Sequence, residues 1–465
     1  ASHIGGEILK VGDILVVTGT KSTSVTKIRV EFGNDLDAYP NPTWQTLIDN
    51  YNVGAGTTWS FDSSSVGWSI PDKISPNTTT PLAKIRITDK TDWPAVALES
   101  SADNIKVIGK FNVTNPTVGL NWVVGETRPI TWSTIGTIST VNVQYSKDGI
   151  TWTNFPGAGN ILNNPNDVTG KNVTIQDAIS NTFRVRVQSV NDPTVYKESA
   201  LLNVRGKLEL LSPVGTDRWQ VSDSDKQIIW LITGSIPNVK IAYDINGGGD
   251  GYPNTIIAST AATDTLITPP YVYEGRYTWP NIPNIIGNAV TVRVSTIDGD
   301  WQNLAIDSAN FKVRGKLEVV APNSGETYWV YNNPRQTTLY PIQWRITGTV
   351  TSVKIGVSVT GTYNTILITP TGGAGLYTYN WPVSDTVTTS GFIKIWDNDY
   401  PGDTPEPVND VSNAAFNIKS KLELTAPITT TVWEVGQAGQ FTWESAGSIG
   451  NVVLEYRNGS GSWVE

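Results

Sequence analysis

Paired carboxylates are the residues of this chain that could do chemistry. Asp35 with Asp37, Asp89 with Asp92, Asp298 with Asp300 and Asp397 with Asp399 stand two or three residues apart. A glycosidase uses two carboxylates, but both must line one cleft. Here acids recur once per unit of a long repeat, just after the same strand, and Asp192 joins the series. That distribution argues against a single active site and leaves two readings open. Either the acids are polar turn residues, or they bind calcium between modules with help from Asn side chains and backbone carbonyls. The calcium candidates are Asp89, Asp92, Asp192, Asp298, Asp300, Asp397 and Asp399. The stretch "DINGGGDG" from Asp244 is similar to a calcium loop, but its twelfth residue is Thr255 rather than Glu. It reads as a glycine-rich hairpin.

Other chemistries find no residues. A nucleophilic triad needs a base beside a Ser, and the one histidine is His3, near the start of the chain. There is no cysteine, so neither a disulfide nor a thiolate metal site can form. No phosphate loop, HExxH or GxSxG pattern occurs. The chain therefore reads as a non-enzyme with no catalytic residues and, beyond calcium, no cofactor. Net charge is −9, without the basic face a nucleic-acid binder carries. No apolar run is long enough to span a membrane as a helix. Sequons at Asn77, Asn112, Asn172 and Asn458 are the candidate glycosylation sites.

The acids must be positioned by something, and the sequence restates it. "VRGKLEVVAP" begins at Val313, "VRGKLELLSP" at Val204, "KSKLELTAP" at Lys419, and a weaker "VIGKFNVTNP" at Val107. The spacing of roughly a hundred residues exceeds most solenoid periods and suits a whole small domain. After each opening stretch come a first Trp (Trp122, Trp219, Trp329, Trp433) and a second (Trp132, Trp230, Trp344, Trp443). Strictly alternating segments follow, such as Val141, Val143 and Tyr145 or Val239, Ile241 and Tyr243. Period-two alternation means a strand with one face on a core. Turn residues come next, then "YTWPNIP" or "YNWPV", then a second alternating strand such as "FRVRV" or "FIKIW".

Seven or so short strands per unit, with no helical periodicity, argue an all-β fold of tandem immunoglobulin-like β-sandwiches. "TWQTLIDNY" (Thr43–Tyr51) is the best helix candidate, and "QDAISN" near Gln176 suits one helical turn. Trp132, Trp230, Trp344 and Trp443 recur at one strand position and are assigned to the cores. The first Trp of each unit is placed at a module end or interface. The unrepeated Trp152, Trp301 and Trp396 are the candidates for surface stacking. No Gly/Ser-rich or Pro-rich linker separates one unit from the next, so neighbours should be close-packed and restricted in angle, as a semi-rigid rod. The expected modules are residues 1–108 (lacking an opening strand), 109–205, 206–314, 315–419 and the first half of another at 420–465. The cut modules at both ends lead us to expect an interior piece of a longer chain.

The pattern P-x-x-G-E-x-x-x-V, then I-x-W, Y-x-W-x-(I/V)-P and (K/R)-(I/V)-x-(I/V), with "PNSGETYWV" its best instance, is carried by these units. It resembles the immunoglobulin-like module of the yeast cell-wall-synthesis and Ser/Thr-rich GPI-anchored protein family, modules that also occur in tandem in large bacterial surface proteins. The unit at 109–205 departs from it, with "NVTIQDA" in place of the aromatic-Trp-Pro stop. The resemblance implies an extracellular, cell-surface location and a structural or adhesive role. The expected function is a structural protein whose copies assemble with one another into a surface layer, sheath or filament. The alternatives are an adhesin or carbohydrate-binding stalk, with cell-envelope polysaccharide as partner, and the non-catalytic region of a larger secreted enzyme.

Overall fold

The computed structural model describes residues 7–33, 43–72, 83–91, 96–99, 105–164, 170–268, 271–298, 300–332 and 336–465. The chain is all-β, built as tandem immunoglobulin-like sandwiches. The unit at 109–205 shows the plan. Strands Lys171–Thr174, Thr127–Ile135 and Lys110–Asn115 form one sheet. Facing it, Asn121–Val123, Leu202–Arg205, Ser180–Ser189, Thr140–Ser146 and Thr153–Asn154 pair in that order. All these ladders are antiparallel except one. Asn121–Val123 runs parallel to Leu202–Arg205, with Trp122 opposite Val204. The same parallel pair recurs as Trp219 opposite Val313 and Tyr328 opposite Ile418.

Alternation decides what is buried. Val141, Val143, Val185 and Val187 are fully buried, while Arg184 and Arg186, on either side of Val185, reach outward. Four hydrophobic clusters result, each drawn mainly from one repeat unit, with Ile108, Tyr271 and Ile179 packing across the joints. Trp132, Trp230 and Trp344 lie within them. Trp132 Nε1 donates to Asn163 Oδ1 at 2.9 Å, and Trp230 Nε1 donates to the Ala262 carbonyl at 2.9 Å. Trp344 Nε1 is buried with no hydrogen-bond partner among the described residues. Gly275, directly opposite Trp230, is where only glycine fits. A Cβ there would stand 2.4 Å from the indole and 2.2 Å from the Ala262 carbonyl.

Four expectations need correction. Trp443 is 45% exposed, because its unit contributes only Lys421–Ala426 and Thr442–Ala446 as paired strands and no facing sheet covers the ring. Thr43–Tyr51 is not helical. Trp44–Asn52 is a strand paired to Lys27–Gly33, its polar run explained by an edge position in the sheet. The residues after Gln176 form a loop that enters the Ser180–Ser189 strand, not a helical turn. Trp329 is not the counterpart of Trp122 and Trp219. The parallel pairing puts Tyr328 at that position, buried against Trp381 and Phe416, and leaves Trp329 39% exposed.

Candidate functional site

The repeated acids do not converge. Asp89 accepts from the Thr91 N–H at 2.8 Å, Asp298 from Lys240 Nζ at 3.0 Å and Asp300 from the Gln302 N–H at 2.9 Å. Asp192 accepts from Lys106 Nζ and from Thr194. Asp399 accepts from the Thr351 N–H and Oγ1, and Asp397 from the Asp399 N–H. Burial pushes the Asp397 carboxyl above its ordinary range. Among the described residues no three His, Cys, Asp or Glu side chains stand together in a way that could hold a metal ion. Asp35, Asp37 and Asp92 lie outside the described residues, as do His3 and Asn77. Asn112, Asn172 and Asn458 are exposed. Asp244 is buried and accepts from the N–H groups of Asn246, Gly248 and Asp250, a local turn device.

The three unrepeated tryptophans are partly covered by cations. The Arg186 guanidinium lies 4.2 Å from the Trp152 ring, and Lys354 and Lys394 each lie 5.2 Å from Trp396. Trp301 is 38% exposed, with Arg205 at 5.8 Å. Register shows a pattern here that sequence reading missed. Arg86, Arg186, Arg293 and Lys394 occupy one position, opposite Glu31, Gln144, Ala242 and Gly356. Each has an aromatic ring beneath it: Trp44, Trp152, Tyr252, and Tyr363 with Trp396.

What does recur as a built site is the joint. Gly136, Gly234, Gly348 and Gly447 all have φ between 83° and 90°. Gly234, Gly348 and Gly447 also pack closely on the preceding unit. A Cβ on Gly348 would stand 2.8 Å from Val221, and one on Gly447 would stand 3.0 Å from Val330. That turn presents the N–H and hydroxyl of the next residue, Thr137, Ser235, Thr349 or Ser448. One side chain of the preceding unit takes both. Asp72 accepts from Thr137 at 2.9 and 2.7 Å, and Asp177 from Ser235 at 3.0 and 2.5 Å. Asp385 accepts from Ser448 at 2.7 and 2.6 Å. Asn284 plays the same part with one bond reversed: its Oδ1 accepts from the Thr349 N–H at 3.1 Å, and its Nδ2 donates to Thr349 Oγ1 at 2.8 Å. The bonds from Ser448 hold the Asp385 carboxyl below the usual carboxylate range.

A second clasp runs the other way, from a later loop back to the last strand of the preceding unit. Lys106 and Lys312 hold equivalent places in the parallel pairs, and they donate to Asp192 and Asp403. Arg314 adds a two-pronged bond to Asp403, Nε to Oδ2 at 2.7 Å and Nη2 to Oδ1 at 3.0 Å. Its side chain is fully buried, with Tyr400 stacked 3.7 Å from the guanidinium carbon. Burial opposes ionisation of Asp403 and Asp192, yet their cationic partners hold both carboxyls below the ordinary range. At the middle joint Gln302 Oε1 accepts from the Gly206 N–H at 2.9 Å instead. The glycine of the restated ten residues is explained here. A Cβ at Gly206 would lie 2.7 Å from the Thr233 carbonyl, and one at Gly109 would lie 3.0 Å from the Ile135 carbonyl.

No protein-family model matches the chain, and no curated protein sequence matches it. Among solved structures it is similar to the immunoglobulin domains 1–5 of Sidekick-1, at TM-score 0.21 and 9% identity, over 90% of this chain and 78% of that one. It is also similar to the ICAM-5 D1–D4 ectodomain fragment, at TM-score 0.22 and 10% identity, over 89% and 97% of the two chains. The fibronectin(III)-like modules of Clostridium thermocellum CbhA match at TM-score 0.16 and 16% identity, over 46% of this chain and 94% of that one.

Proposed function

We propose that this chain is an extracellular structural protein, a semi-rigid rod of immunoglobulin-like modules at 1–108, 109–205, 206–314, 315–419 and 420–465. Its copies assemble into a cell-surface layer, sheath or filament. The observation that carries this reading is the repetition of one joint four times. A single Asp or Asn takes two bonds from the next unit each time, beside a glycine that permits close contact. A chain that served only to tether would gain nothing from ordering every joint at the cost of backbone entropy. Spacing and lattice formation both require fixed joints. The absence of linkers and the mostly uncharged polar surface support the same reading.

An adhesive role is favoured by a different observation, the aromatic–cation stack repeated at one register position of each of four units. That stack offers planar apolar surface beside charge, which suits polysaccharide. Electron microscopy of the purified chain, together with small-angle scattering, tests the first reading. Straight particles with constant spacing between modules that associate with one another support it. A broad distribution of bend angles at every joint refutes it.

A further inference from the structure

From Ile355 to Ser384 the chain carries no Asp, Glu, Lys or Arg, its longest such run; the next are Pro129–Ser146 and Gly149–Asn166, of equal length. This run forms one side of the 315–419 sandwich. Within it, Gly375–Trp381 pairs with Tyr340–Thr347 in unbroken register, from Tyr340 opposite Trp381 to Ile346 opposite Gly375. Among the described residues nothing pairs with its outer edge. Natural edges of this kind are blunted by a charge, a proline, a bulge or shortness. This strand is seven residues long and has none of them. Leu376 on its outer face is 54% exposed, and Thr378 and Asn380 are exposed beside it. The equivalent strands at Thr58–Asp62 and Lys171–Thr174 are shorter and carry a charge.

The preceding unit shows what belongs on that edge. There Val272–Thr278 pairs with Gln227–Thr233, and a further strand, Thr265–Thr268 with sequence TLIT, covers its outer side antiparallel. The segment leading into that covering strand supplies Ala262, whose carbonyl satisfies the buried Trp230 Nε1. In the 315–419 unit the connection is cut to Thr371–Ala374, no covering strand exists among the described residues, and Trp344 Nε1 is left unpartnered. The residues TILIT do occur, as Thr365–Thr369, within another uncharged strand that pairs only with Ser352–Ser358 and so presents an edge of its own, with a bulge at Ile366 and a proline only at its last residue, Pro370.

Resting on the self-assembling rod, we infer that the Gly375–Trp381 edge is a docking site for an antiparallel strand from a second copy of this chain. The donor is that copy's Tyr363–Pro370 edge. Two-fold symmetry lets each copy give one strand and receive one, so the contact closes as a pair. Charge favours this place over others. Two chains of net charge −9 repel, and this is the longest stretch along which they can meet without opposed carboxylates.

Sedimentation of the chain at concentrations up to about 100 µM tests it, a range that detects weak edge contacts. The expected result is a reversible pair. Leu376→Lys with Thr378→Lys, both at exposed positions, should weaken pairing about tenfold or more by placing cations on the accepting edge of each copy. Thr327→Lys, an exposed position on a different strand, should leave it unchanged. Slower amide exchange at Gly375–Trp381 as concentration rises is the second expected readout. A chain that stays single throughout, or pairing that survives the double lysine variant, overturns the inference. Scattering separates this failure from that of the rod: single particles that remain straight refute only the docking edge, whereas bent ones refute the rod.

Discussion

Arg314 and Asp403 belong to different modules, yet they form the most deeply buried ion pair among those described, with side chains 0% and 5% exposed. The guanidinium also donates to the Gly287 carbonyl and to Asn288 Oδ1. Its own module thus supplies neutral acceptors, while the next supplies the Asp403 carboxylate and the Tyr400 ring. The last strand of one unit carries a charge that only the following unit neutralises.

Replacing Asp403 by Ala should therefore act on the joint and on both flanking modules. Removing one partner of a buried pair leaves an uncompensated charge and costs about 3–5 kcal/mol. Asp403→Ala is expected to lower the melting transition of the 206–314 and 315–419 units together and to widen the angle distribution at their joint by scattering. Unchanged melting and shape would mean that Arg314 finds water in the variant.

Trp344→Ala tests the core. Truncating a large buried aromatic costs about 3–5 kcal/mol, so the 315–419 unit should melt early. Units beyond its immediate neighbours should keep their transitions. Trp443→Ala, at a ring 45% exposed, should cost far less; calorimetry of the two variants side by side decides.

Acid should loosen the joints before it unfolds the modules. Asp385 is held below its ordinary range by Ser448, and Asp403 and Asp192 are held below theirs by cationic partners despite burial. A carboxyl depressed in the folded state contributes fully above its unfolded pKa, and that contribution is lost as pH falls through the folded value. The loss should thus begin below about pH 4. Scattering from pH 7 downward should show bending while the far-UV spectrum stays β-type. Simultaneous loss of shape and secondary structure would show that the joints and the modules respond to acid as one.

Calcium is settled by titration. Asp89, Asp192, Asp298, Asp300, Asp397 and Asp399 each already accept a hydrogen bond. An ion would have to displace those bonds, so added calcium or excess chelator is expected to leave melting and shape unchanged. A rise in melting temperature with calcium, following mass action, would instead assign these acids to metal.

The sandwich was legible because it rests on local signals. Val141, Val143 and Tyr145 alternate within one strand, and Trp132 follows Lys110 in the same order of segments as Trp230 follows Lys207 and Trp344 follows Lys316. The joint was legible only in part. "VRGK" marks it, but the clasps link residues such as Asp72 and Thr137 that lie far apart in the chain, and no single window contains both. The usable signal was the repeated Gly-Thr or Gly-Ser after the second Trp, which looks like an ordinary turn until its partner is known. Trp329 misled for a related reason. Aligning by residue type placed Trp on Trp, whereas the pleat requires Tyr328 inward, and a slip of one residue reverses the face. Thr43–Tyr51 misled because its pairing with Lys27–Gly33 is broken by register shifts, so its apolar residues Trp44, Leu47, Ile48 and Tyr51 fall at helix-like spacing instead of alternating.

The parallel pairs at Trp122–Val204, Trp219–Val313 and Tyr328–Ile418 join the first part of each module to its last strand. Tension on a rod enters a module through its opening strand, Lys110–Asn115 or its counterpart, then passes to the parallel pair and leaves at the last strand. Because the two run in the same direction, the load falls along the ladder in shear, and all its hydrogen bonds must yield together. An antiparallel pair at the same place would peel apart one bond at a time. Forced unfolding is governed by the unfolding rate rather than by equilibrium stability. The module is thus arranged to resist stretching between its own ends.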